Sequence, residues 1–74
     1  MRPDDLRMLL ARQPRPLLRL HLTSGMIFEI PDPEQVVVTR STVEVLLPPD
    51  GSHDREAVIN LLHINWVEVI TRPE

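Results

Sequence analysis

Apolar residues recur along the chain with two different periods. From Pro3 to Gln13 they follow a helical one: Leu6, Leu9 and Leu10, with Gln13, fill the i, i+3, i+4, i+7 positions of a single face. Pro3 is tolerated in a first turn, and Asp4 and Asp5 suit the positive end of the helix dipole. The spacing predicts a helix over 3–13. Pro14-Arg15-Pro16 ends it, because proline has no N–H to donate and restricts the residue before it.

Beyond Pro16 the period falls to two. Leu18, Leu20 and Leu22 alternate with Arg19, His21 and Thr23, the signature of a half-buried strand over 17–23. Ser24-Gly25 reads as a turn, and Met26, Phe28 and Ile30 resume the alternation, so the two runs predict a hairpin. Pro31-Asp32-Pro33 breaks the second strand. Val36-Val37-Val38 is a β-branched run with no helical period, and Ser41-Thr42 allows a reversal. The next strand covers 43–47, and Pro48 to Asp54 reads as a loop. The stretch from Glu56 to Ile70 exceeds the usual strand length, so it predicts two strands, 57–62 and 66–70, joined at His63-Ile64-Asn65. A helix over 56–65 competes with that reading. The fold class is therefore all-β: a short helix and Pro-Arg linker over 1–16, then a small, strongly bent, five-stranded antiparallel barrel over 17–72. Curling removes the long edges that a flat sheet would expose.

Chain length makes the core a concern. A domain near this size buries only about 60% of its unfolded surface, and small folds are reinforced by disulfides, metals or oligomers. The absence of cysteine excludes disulfides and thiolate metal sites, which leaves oligomerisation. No apolar run is long enough to span a membrane, and Met1-Arg2-Pro3-Asp4-Asp5 is too acidic for a signal peptide, so a cytoplasmic location is expected.

Charge is divided unevenly. Residues 1–20 hold five arginines and two aspartates, a net +3; residues 21–74 hold three arginines and nine acids, a net −6. The overall −3 argues against non-specific nucleic-acid binding, while the basic N-terminal quarter leaves a local anion contact open. Arg12, Arg15 and Arg19 surround the helix exit. Guanidinium groups bind phosphate bidentately, so three of them repeated around a ring would form a basic rim. The competing reading pairs them with the many carboxylates of the remaining chain.

The order of elements resembles the Sm-like family, and within it the Hfq type. Leu9-Leu10-Ala11-Arg12-Gln13-Pro14-Arg15-Pro16 stands where that type has a helix ending in an arginine-rich stretch and a proline. Leu20-His21-Leu22-Thr23-Ser24-Gly25 is similar to the close of its first strand, and Leu61-Leu62-His63-Ile64-Asn65-Trp66-Val67-Glu68-Val69 to its last motif. Glu29 or a neighbour stands where the family's bent second strand has glycine, and Leu62 replaces its lysine. No clear counterpart precedes strand three for its aspartate, unless Asp32 serves, and His63 lies one residue nearer the isoleucine. These departures fall on RNA-contacting positions more than on fold positions. The chain also resembles short bacterial proteins with a helix, a proline-arginine linker and a strand-glycine-strand unit, a likeness that implies no activity.

The resemblance implies a non-enzymatic homo-oligomeric ring, with RNA as a candidate ligand through Arg12, Arg15, Arg19, His63 and Asn65. Taken by itself, His63 reads first as a partly buried histidine bonded to backbone, because the fold needs that turn. Self-pairing of open strand edges would use Val58, Ile59, Leu61, Trp66, Val67 and Val69. Trp66 packs either in the barrel or in a subunit interface. With Phe28 the only other aromatic, a stacking platform for single-stranded nucleic acid is disfavoured. No nucleophile has a histidine at a telling spacing, no carboxylate pair is placed across a cleft, and no glycine-rich phosphate loop occurs. His53 with Asp50 and Asp54 is too loose a set to predict a metal site, and no cofactor is expected. The alternative is an SH3-like adaptor that binds another protein and no nucleic acid.

Overall fold

The computed structural model of the chain describes residues 1–71. The last position of the expected barrel, residue 72, lies outside the described residues. The chain is mostly β, with one N-terminal helix, α1 (Pro3–Leu10). The strands are β1 (Leu17–Leu22), β2 (Ile27–Glu29), β3 (Val36–Val38), β4 (Thr42–Asp50), β5 (His53–Asn60) and β6 (Ile64–Ile70). Single 3-10 turns precede β3 and β6, at Pro33–Gln35 and Leu61–His63. The strands form two antiparallel three-stranded sheets, ordered β2-β1-β6 and β3-β4-β5.

The expected five strands are therefore six. The Val36-Val37-Val38 run is a strand in its own right, and the break at Pro31–Pro33 sends β2 and β3 to different sheets, β2 to β1 and β3 to β4. The stretch does hold two strands, which excludes the competing helix over 56–65, but β5 ends at Asn60 and the turn lies at Leu61–His63 rather than at His63-Ile64-Asn65, so Leu61 and Leu62 leave the expected strand while Ile64 and Asn65 join β6. Asn60 fixes that turn by accepting a 2.9 Å hydrogen bond from the Leu62 amide through its side chain.

Two further boundaries moved. α1 ends at Leu10 rather than Gln13. Pro14 has no N–H to give the Leu10 carbonyl, so the ladder cannot reach Gln13, and the Arg12 amide instead tightens onto the Leu9 carbonyl at 3.3 Å. The expected loop over 48–54 is mostly strand: β4 runs through both prolines to Asp50, and only Gly51-Ser52 turns. The pairing slips between Leu47 and Asp50, the kind of bulge in which proline is tolerated inside a ladder. Gly51 sits at φ +62°, a left-handed conformation that glycine adopts without strain.

One core joins both sheets and the helix. Leu6, Leu18, Leu20, Val43 and Val45 are fully buried, with Ile30, Ile59, Leu61 and Ile64 completing the cluster. Alternation along β1 and β4 explains this: every second side chain points inward. Leu6 carries the helix into the core while Leu9 and Leu10 lie against it; Gln13, the fourth position of the expected face, is exposed.

Candidate functional site

The longest unpaired strand edges belong to β5 and β6. Among the described residues β5 pairs only with β4 and β6 only with β1, which places each at the margin of its sheet. Hydrogen-bond phase shows which backbone groups these edges offer. The Leu61 amide donates to the Ser41 carbonyl at 2.9 Å. Stepping by two along an antiparallel ladder, Ile59 and Ala57 then exchange bonds with Val43 and Val45. Glu56 and Val58, between them, turn their N–H and C=O to the open side.

The same reasoning fixes β6. Bonds from the Leu22 amide to Met26 (2.9 Å) and from the Ile30 amide to Leu18 (3.0 Å) turn Leu18, Leu20 and Leu22 toward β2. Leu17, Arg19 and His21 therefore bond to β6 through Ile70, Glu68 and Trp66. Val67 and Val69 point their backbone groups outward. The register slips between His21 and Leu22, leaving Asn65 without a cross-strand partner.

The expected interface residues divide. Val58 (61% exposed) and Trp66 (52%) flank the open edges, and Val67 and Val69 are half-buried on the same strand. Ile59 and Leu61 are corrected: both are buried in the chain's own core and offer no side chain to a second copy. Trp66 is likewise not packed in the core. Its ring lies outside β6, stacked on His21 with centroids 3.7 Å apart and planes 14° from parallel.

That stack belongs to a cluster of outward-facing groups on β1, β2 and β6. His21 Nε2 lies 3.2 Å from Glu68 Oε1; Arg19 meets Glu29 at 3.1 Å and Glu68 at 3.8 Å. Sequence reading placed Arg19 and His21 on one face but had no means of bringing up Trp66 and Glu68. Only the β1–β6 register, which sets His21 opposite Trp66 and Arg19 opposite Glu68, does so.

The expected RNA-contacting residues do not form one patch. Arg15 is engaged by Glu34 at 2.7 Å, a contact whose hydrogen bond and charge raise the guanidinium pKa further. Arg19 is held by the two carboxylates just named. Arg12 is exposed just beyond the helix. His63 and Asn65 are exposed at the far end of β1, where the His63 carbonyl accepts a 2.8 Å bond from the Thr23 amide. The six residues of β1 separate them from Arg15 by about 20 Å of strand.

Among the described residues no group of three or more His, Asp or Glu side chains is placed to hold a metal ion, and no helix is long and apolar enough to cross a membrane. Comparison with known proteins finds no matching family model, no matching curated protein and no matching solved structure.

Proposed function

We propose that the chain is a non-catalytic, homo-oligomeric binding module of the Sm-like type, a small bent barrel that assembles by pairing β5 of one copy with β6 of the next. The carrying observation is the pair of long open edges, eight and seven residues, with the outward amides and carbonyls of Glu56, Val58, Val67 and Val69 unclaimed within the described chain. A neighbouring strand satisfies those groups and covers apolar surface at Val58 and Trp66. Such a contact joins two different surfaces. Copies therefore close into a ring where the rotation permits, and the ring supplies the burial that a core of nine residues lacks alone.

RNA is the ligand the family resemblance suggests, through Arg12, Arg15 and Arg19 with the His63–Asn65 turn. The pairing of Arg15 and Arg19 with carboxylates favours the second reading, a protein-binding adaptor of SH3 type, because a phosphate would have to displace Glu34, Glu29 and Glu68. Light scattering at rising protein concentration tests the assembly: a mass six or seven times the 8.5 kDa chain is expected, and a monomer throughout refutes it. Filter binding of uridine- and adenine-rich oligomers at low salt separates the ligands. Retention that falls with salt and with Arg12→Ala supports RNA, and no retention supports the adaptor.

A further inference from the structure

The outer face of the β3-β4-β5 sheet carries a pattern that neither edge pairing nor the arginines explain. Cross-strand register sets Val37, Glu44 and Val58 in one row and Leu46 beside Glu56 in the next, so apolar and acidic side chains alternate in both directions. Val37 is 62% exposed and Leu46 48%. Glu34, Gln35, Val37, Glu44, Leu46 and Glu56 line a shallow groove. It continues past Gln35 and Leu46 into a second groove walled by Pro31, Pro48 and Pro49, where Asp32 and Asp54 stand. Five carboxylates thus border one apolar track, with no cation among its lining residues. Arg15 pairs with it at Glu34, at the end where Asp32 also stands.

Glu44 and Glu56 are diagonal neighbours on one sheet face, within reach of each other's long side chains, and neither has an ion-pair partner among the described residues. The other sheet shows the other choice, since Arg19 on β1 stands between Glu29 and Glu68. A nucleic acid is repelled by this track. A cationic segment with apolar residues between its charges is complementary to the groove: its cations meet carboxylates, and its apolar side chains meet Val37 and Leu46.

We propose that the outer face of β3-β4-β5 docks a basic peptide segment of a protein partner, with arginine or lysine alternating with apolar residues. Glu44 and Glu56 hold its charges, and Val37 and Leu46 hold its apolar side chains. The site needs no second copy of the chain, because it lies on the face of the sheet and not on its edge.

The test titrates isotope-labelled protein with a synthetic peptide alternating arginine and valine, followed by amide shifts. Saturable shifts centred on Val37, Glu44, Leu46 and Glu56 are expected. The double variant Glu44→Gln/Glu56→Gln, and a control peptide alternating arginine and glycine, should each weaken binding by about tenfold or more. Leu46→Ser gives a second loss that leaves charge untouched. The edge variant Val67→Pro should bind as wild type does, which separates this site from the assembly. Absence of saturable shifts, shifts centred elsewhere, or equal binding of the arginine-glycine peptide overturns the proposal. So does binding of uridine-rich RNA to the same residues.

Discussion

The molecule treats its two margins differently. On one side, β2 and β3 are three residues each, separated by Pro31 and Pro33, and α1 lies against β3. The Thr39 amide bonds to Thr42 at 2.8 Å, which sets the β3–β4 phase and turns the Val38 carbonyl outward, where Arg7 of the helix takes it at 2.8 Å. Short strands, proline and a covering helix are the usual means of blunting an edge. On the other side, β5 and β6 are more than twice as long, have no proline and, among the described residues, pair with no second strand. The proposed pairing of copies draws on this contrast: one margin is closed by the chain's own helix, and the other keeps its outward backbone groups open among the described residues.

Removing the helix anchor breaks the contrast most severely. Leu6 is fully buried, so Leu6→Ala should cost about 2–5 kcal/mol in urea denaturation. It should also promote aggregation through the uncovered β3 margin, visible as scattering at temperatures where wild type stays clear. Val58→Pro and Val67→Pro act on the open margin instead. Each removes an outward donor without touching an internal ladder bond, so each should abolish self-association in sedimentation while keeping the β-type circular dichroism. Ile59→Pro, one residue away, removes an inward bond and should unfold the chain.

Smaller effects sharpen the picture. Gly25 holds φ +93° in the turn between β1 and β2, and its Cβ position is open space, so Gly25→Ala costs backbone strain alone, about 1–2 kcal/mol by thermal unfolding. Arg7→Ala frees the Val38 carbonyl to water at an exposed site. It should shift stability by less than about 1 kcal/mol, yet raise scattering slightly on heating.

Much of the fold was legible because alternation is local. Alternation put Leu18 and Leu20 on one face of their strand and Val43 and Val45 on one face of theirs, helical spacing marked Leu6, and all five are buried together. The prolines misled twice. Pro48-Pro49 looked like a loop because the bulge that accommodates them depends on β5 pairing alongside. Pro14 looked like a stop for a helix through Gln13, although its missing donor already truncates the ladder at Leu10. The candidate site was less legible, since strand partners are set over long separations. Nothing near Arg19 in sequence announces Glu68, and nothing near His21 announces Trp66. Ile59 and Leu61 were indistinguishable from Val58 and Val67 by residue type. Only the position of β5 at the sheet margin, with alternate residues facing in, separates core from edge.

Hydrogen exchange at the amides of Val58, Val67 and Val69 tests the central claim most directly. In the isolated chain these three donors face outward, so alone they exchange as fast as exposed backbone. The pairing of β5 with β6 between copies predicts that at working concentration they are protected like the core amides of Ile59 and Val43, and that Val67→Pro strips protection from Val58 as well. Fast exchange at all three positions in concentrated wild-type protein would contradict it.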